Sequence, residues 1–332
     1  MKNNNIKSTL HPAPASRSRG LKATLLLAAF AALAVMGSTH AGTCASDASV
    51  TIARLVYHSD LNGALGDYNL ALAKANNEPT AVARTAARKL AAADYKDAVD
   101  NAKAQFQARR DLVEDLGEDR YNPAIDPANF VSPAEIAAHP NPLYPLIPGT
   151  TMNYRTVTAT ETTTTAITVT RETRVLLGVT CIVVRDTAKV NGALHEDTVD
   201  FFAQDRSGNV WYFGENTAEY VDGLINKIDG SWLAGVNGAR PGIIMFAAPA
   251  VGKTYRQELL FTEAEDAAEI VALNESVTVP AGTYAHCLKT EEFTPIEPDA
   301  LEFKYYAPGV GNVLTVDSRT GKRGELISVV KQ

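Results

Sequence analysis

The chain has 332 residues, with 31 Lys+Arg against 38 Asp+Glu and a formal charge of -7. No basic cluster is denser than Arg84-Arg88-Lys89 or Arg109-Arg110, which read as solvated helix faces, so a nucleic-acid partner is not expected. A chain of this length buries a sizeable core without a cofactor or structural metal, and none is expected.

Residues 1–41 read as a Sec-type signal peptide. A basic, acid-free stretch (Lys2, Lys7, Arg17, Arg19, Lys22) precedes an apolar core from Ala23 to Met36 and a small-residue exit at Thr39-His40-Ala41. The apolar core is shorter than the roughly 20 residues of a membrane span, so cleavage after Ala41 and a periplasmic or secreted product are expected. That product is not expected to be an integral membrane protein. It keeps 26 Lys+Arg against 38 Asp+Glu, a charge of -12.

Residues 45–117 carry apolar positions at helical spacing: Ile52, Leu55, Leu65, Tyr68 and Leu72, then Val82, Ala86, Leu90, Phe106, Val113 and Leu116. An antiparallel helical hairpin is predicted. It breaks at Asn76-Asn77-Glu78-Pro79-Thr80, where Pro79 suits the first turn of the second helix, and it stops at Gly117. Residues 118–149 hold seven prolines, which excludes long regular elements. The stretch reads as a rigid connector. Its Tyr121, Ile125, Phe130, Leu143 and Tyr144 suit packing along the next domain.

Residues 150–332 change to a period of two, in runs separated by turn signals at Asn191-Gly192, Asp205-Arg-Ser-Gly208, Asp222-Gly223, Asp229-Gly230, Pro280-Ala-Gly282 and Thr320-Gly321. The fold class is therefore α+β: a helical hairpin followed by a predominantly antiparallel β domain, a half-barrel or lipocalin-like barrel. Cys181 and Cys287 each lie in a strand-like run, and an oxidising compartment makes a bridge between them the expectation. Cys44, three residues from the new terminus, reads as a free thiol.

Chemistry is sparsely marked. Around the turn at 205–208, Trp211 and Phe213 alternate to one strand face and Tyr212 to the other, and with Tyr305 and Tyr306 they are the candidate ligand-binding residues. Glu297 and Glu302, near a proline-held turn, are the candidate carboxylates for acid–base hydrolysis. His58, His139, His195 and His286 lack zinc spacing, and no phosphate loop or Gly-x-Ser-x-Gly elbow is present, so no metal site is expected.

Lys304-Tyr-Tyr-Ala-Pro-Gly-Val-Gly-Asn-Val, with Asn141-Pro-Leu-Tyr-Pro-Leu-Ile-Pro-Gly149, Leu177-Gly-Val-Thr-Cys-Ile-Val-Val-Arg-Asp186, Gln204 to Glu215 and Val279-Pro-Ala-Gly-Thr283, resembles a group of uncharacterised exported bacterial proteins. Their β domain ends in a Tyr-Tyr-Ala-Pro-Gly-Val-Gly motif. The resemblance implies an exported β domain over about residues 141–330 and no activity. The expectation is a non-enzymatic exported protein that binds a small apolar ligand or an envelope protein. The alternative is a carboxylate hydrolase of an envelope or extracellular polymer.

Overall fold

The computed structural model describes residues 47–117 and 119–331. The segment expected to be a signal peptide, with its expected cleavage after Ala41, and Cys44 lie outside the described residues. Helices α1 (Asp47–Asn76) and α2 (Ala81–Leu116) form the hairpin. Its antiparallel sense is fixed by Tyr57 stacked on Phe106 at 5.2 Å and Tyr68 on Tyr95 at 4.8 Å. Thr80 caps α2, its hydroxyl accepting from Ala83 N at 3.1 Å, so Pro79 precedes the cap and does not enter the first turn. Gly117 ends α2 at φ 61°, the left-handed position that glycine adopts without strain.

The connector carries a 3-10 turn (Pro127–Asn129) and one short α-helix, α3 (Pro133–Ala138), whose Ser132 and Glu135 close a capping box. It is pinned to the β domain. Asn141 N donates to Gln204 Oε1 at 2.8 Å and Asn141 Nδ2 to Gly208 O at 2.8 Å, while Ile136 and Leu146 are fully buried.

Among the described residues fifteen strands follow: β1 (Thr150–Val157), β2 (Thr162–Leu176), β3 (Val179–Val190), β4 (Ala193–Gln204), β5 (Val210–Val221), β6 (Leu224–Lys227), β7 (Trp232–Leu233), β8 (Arg240–Met245), β9 (Thr254–Arg256), β10 (Glu258–Leu259), β11 (Ala267–Val279), β12 (Gly282–Phe293), β13 (Leu301–Ala307), β14 (Gly311–Asp317) and β15 (Arg323–Lys331). Two boundaries escape the sequence pattern. The threonine-rich stretch 151–173 is two strands, turned at Thr158, whose hydroxyl accepts from Glu161 N at 3.0 Å without any Gly, Asn or Pro to mark it. The run 175–186 is broken by Leu177 and Gly178 at φ 50° and 79°, a turn with both central residues left-handed.

All pairings are antiparallel, in the order β10-β8-β5-β4-β3-β2-β1-β15-β14-β13-β12-β11-β9, with β6 and β7 also on β5. The ladder is not closed into a barrel. Its two edges, β9 and β10, are nonetheless consecutive in the chain, separated by Gln257. Arg256 pairs with Ala267 on one side and Glu258 with Pro241 on the other. Gly242 permits this approach, because a Cβ there would lie 2.4 Å from the Gln257 carbonyl.

The hairpin docks where the edges meet. Arg109, 4% exposed, donates through Nε to Glu265 Oε2 at 2.8 Å, through Nη2 to Oε1 at 2.7 Å, and through Nη1 to Asp60 Oδ2 at 3.3 Å. Gln105 Nε2 donates to Ile296 O at 2.7 Å beside it.

The expected bridge between Cys181 and Cys287 is not formed. Both are buried free thiols in different apolar clusters: Cys181 belongs to the one that holds Ile182, Phe202 and Phe213, and Cys287 to the one that holds Val277, Val313 and Leu326. Burial pushes the Cys181 thiol up to about 12, which leaves it unreactive.

Two substitutions probe the closure. Arg109→Met strands Glu265 and is expected to lower stability by about 3–5 kcal/mol in urea unfolding, with Arg109→Met/Glu265→Gln recovering part of it. Gly242→Ala is expected to cost about 1–3 kcal/mol by overpacking; an unchanged urea midpoint would show that the two edges do not depend on this contact.

Candidate functional site, an acidic interior

The concave side of the sheet is identified by rings that meet across it. Tyr144 of the connector lies 5.3 Å from Phe202 on β4 and 6.4 Å from Tyr306 on β13, strands six places apart in the ladder. Phe202 stacks on Tyr212 at 4.7 Å, and Tyr212 meets Trp232 edge-on at 5.3 Å. These rings face inward.

The same face carries carboxylates. In the β4–β5 register Phe202 opposes Tyr212, but Asp200 opposes Glu215, because a bulge at Phe213 and Gly214 inserts one residue on β5. Gly214 sits at φ 139° with the Trp232 carbonyl 2.4 Å from where a Cβ would be. The bulge turns Tyr212 and Glu215 to one face, and Tyr212 Oη donates to Asp200 Oδ1 at 2.6 Å. Asp186 lies on neighbouring β3, Glu258 on β10 and Asp266 just before β11, so acids come from both ends of the ladder.

Only one of the inward carboxylates is paired with a base. Glu292 Oε2 lies 2.7 Å from Lys304 Nζ, and Glu292 Oε1 accepts from Tyr306 Oη at 2.8 Å and Thr290 Oγ1 at 2.9 Å. Burial alone would raise Glu292, but Lys304 and these two hydroxyls hold it below the usual carboxylate range. The others shift upward. Burial, then the charges of Asp200 and Glu196, pushes Asp186 up to about 7. Burial raises Asp200 to about 6 against the pull of the Tyr212 hydroxyl. Burial with Asp200 and Asp266 raises Glu215 to about 8, and burial with Asp266 and Glu215 raises Glu258 well above its ordinary value. Asp266 rises to about 6 by burial, with Lys304 opposing.

Four polar atoms here are buried without a hydrogen-bond partner: Asp186 Oδ1, Trp232 Nε1, Glu258 Oε2 and Thr294 Oγ1. Glu258 faces the Trp232 indole N–H without closing a hydrogen bond. The interior is also not filled. Lys304 keeps 29% side-chain exposure and Asp266 is exposed by area, although both are enclosed deep in the protein, so they border a hollow.

The sequence-predicted residues are divided between faces. Tyr212 and Tyr306 lie in the interior. Trp211 and Phe213 face away, against Phe130 of the connector at 6.1 and 5.5 Å, with Trp211 Nε1 donating to Asp205 Oδ2 at 2.9 Å. Tyr305 faces Lys289, its ring 5.6 Å from Nζ. Glu302 is exposed on β13 opposite Glu292, and Glu297 is exposed in the β12–β13 turn. Asp186, Asp200, Glu215, Glu258 and Asp266 were not singled out by sequence. The available signals were a lone acid inside apolar strand runs, as in Val199-Asp200-Phe201, and a glycine inside a strand at Gly214.

No family model and no curated protein matches the chain. Among solved structures, a putative lipoprotein from Parabacteroides distasonis is similar, with a TM-score of 0.32 and 14% identity over 57% of this chain and 98% of that one. Among the described residues no helix is long and apolar enough to cross a membrane.

The upward shifts fix a pH dependence. A carboxylate whose folded pKa lies above its unfolded value favours the folded state while protonated, and that stability is lost as pH rises through the folded pKa. For Asp186, Asp200, Glu215 and Asp266 the loss begins near their ordinary values of 3.8 to 4.5 and is complete by about 8. The unliganded protein is therefore expected to melt several degrees higher near pH 5 than near pH 8.5. Asp200→Asn/Glu215→Gln should flatten that profile; a wild-type melting temperature that rises from pH 5 to 8.5 would contradict it.

Proposed function

We propose that this is an exported, non-enzymatic binding protein whose half-barrel of antiparallel strands takes a small ligand into its polar interior. Export rests on the signal peptide at residues 1–41 and places the mature protein in the periplasm or outside the cell. Binding rests on one observation: the inward face sets Asp200 directly opposite Glu215 and stays accessible nearby, with Lys304 keeping 29% side-chain exposure. Like charges opposite one another on adjacent strands repel, and a bound molecule that pairs with them offsets that cost. The polar character of the wall favours a polar ligand over an apolar one. The helical hairpin serves as a buttress at the point where the sheet edges meet and offers a surface for an envelope partner.

A second reading, hydrolysis of an envelope or extracellular polymer, draws on the opposition of Asp200 and Glu215 and not on Glu297 and Glu302 alone. Opposed acids with folded pKa values of about 6 and 8 are suited to accept and donate a proton.

Protein isolated undenatured from its native compartment is expected to show a one-to-one small-molecule adduct in native mass spectrometry, lost in Asp200→Asn/Glu215→Gln. An adduct-free mass, with a melting temperature unmoved by a panel of small polar molecules, would sink the binding reading. Cleavage after Ala41 is read from the same spectrum.

A further inference from the structure

We propose that the outer face of the sheet carries a second site, a groove across β15, β1, β2 and β3 that takes an anionic sugar, its carboxylate or phosphate held between Arg155 and Lys189 over Thr164. The groove lies on the opposite face from the acidic interior and does not depend on the binding reading above.

Strand parity places it. Asp186 faces the interior, so Thr187 and Lys189 on β3 face out, and the register carries that face across two neighbouring strands. Lys189 pairs with Thr164 and Thr164 with Arg155, while Thr187 pairs with Ala166 and Ala166 with Asn153. The alanine is the smallest side chain of these two rows. Beside it β15 bulges, its pairing stepping from Ser328 opposite Asn153 to Leu326 opposite Tyr154, with Ile327 as the extra residue. The result is a depression of about 420 Å³ with Ala166 and Ile327 in its wall.

Charge selects what enters. Arg155 and Lys189 are exposed, and among the described residues neither forms an ion pair or a side-chain hydrogen bond. The acids of the same face are engaged with other bases: Asp197 with Arg185 at 3.3 Å, and Glu325, opposite Arg155 on β15, with Arg323 at 2.9 Å. The two open cations stand on either side of Thr164, each one strand spacing of about 4.8 Å away. One oxyanion above that hydroxyl meets a guanidinium fork from one side, an ammonium from the other and an O–H from below. On a mature chain of charge -12, this is a local field of the opposite sign.

The second row selects what carries the anion. Asn153 Nδ2 donates to Ser328 Oγ at 3.1 Å, which leaves its Oδ1 to accept, and Thr187 Oγ1 donates to Asp197 Oδ1 at 3.2 Å and keeps acceptor capacity. These acceptors suit the hydroxyls of a sugar ring, and Ala166 with Ile327 offers an apolar patch to its C–H groups. A bare phosphate reaches the first row alone and leaves most of the depression empty.

Amide-shift titration by NMR of the mature protein at low ionic strength, with glucuronic acid, glucose 6-phosphate, glucose and inorganic phosphate, tests the inference. Saturable shifts at Thr164, Ala166 and Thr187 are expected with the acidic sugars, and the tighter of the two tells a carboxylate from a phosphate. Arg155→Gln or Lys189→Gln is expected to raise the dissociation constant about tenfold or more. The exposed control Lys89→Gln on α2 and the interior pair Asp200→Asn/Glu215→Gln are expected to leave it unchanged. Glucose bound as tightly as the acidic sugars overturns the anion assignment, and phosphate alone bound as tightly overturns the sugar. Shifts absent with both acidic sugars, centred elsewhere, or indifferent to Arg155→Gln and Lys189→Gln overturn the site.

Discussion

A curved sheet leaves two edges whose backbone groups must be satisfied, and here one six-residue segment satisfies both. Thr254 to Arg256 pairs with β11 and Glu258 to Leu259 with β8, so the chain bends at Gln257 from one edge of the ladder to the other. Gln257 N donates to Asp266 O at 2.8 Å, which ties the bend to the start of β11. On one side of that start Glu265 is gripped by Arg109, and on the other Asp266 lines the interior. The helical hairpin, the closure of the sheet and the wall of the site therefore share two adjacent residues. A buried arginine between two carboxylates is weak evidence for stability as such, but its fork geometry fixes position. It sets the hairpin at the closure and holds the bend from outside.

That geometry explains why the interior tolerates acids. A fully apolar core of this width would have been filled by large side chains, as small barrels usually are. Here the filling is uneven. Tyr144, Phe202, Tyr212 and Tyr306 pack one part of the interior with rings in contact, and the remaining wall is polar. Burial raises the carboxylates until several carry protons near neutrality, so the unliganded interior trades charge repulsion for protonation. The same groups weaken the protein as pH rises, because the unfolded chain ionises them more readily.

The helices and most strands were legible because each obeys its local period and punctuation. Gly117, Asn191-Gly192 and Asp205 to Gly208 stop or turn the chain where their chemistry demands, with Asp205 Oδ1 accepting from Ser207 N and Asn209 N at 2.9 Å each. The turn at Thr158 to Glu161 was illegible because a threonine hydroxyl does what Gly or Asn usually announces. The site was illegible for a deeper reason. Alternation predicts which residues share a face, and it placed Trp211 and Phe213 together correctly opposite Tyr212. It does not tell which face is enclosed, because the connector covers the outer face with Phe130 and buries both sides of β5. Parity then fails across the bulge, so Tyr212 and Glu215, three apart, look into one hollow.

The cysteines show the same limit from the other direction. Cys181 and Cys287 both sit on strands, as their sequence context implies, but strand membership does not bring two strands of a fifteen-stranded sheet together. Their strands, β3 and β12, are six places apart in the ladder, and each thiol lies in its own apolar cluster. With these two thiols free, no covalent link among the described residues joins the two walls. What joins them is noncovalent: the bend at Gln257 at the edges and the rings around Tyr144 in the middle.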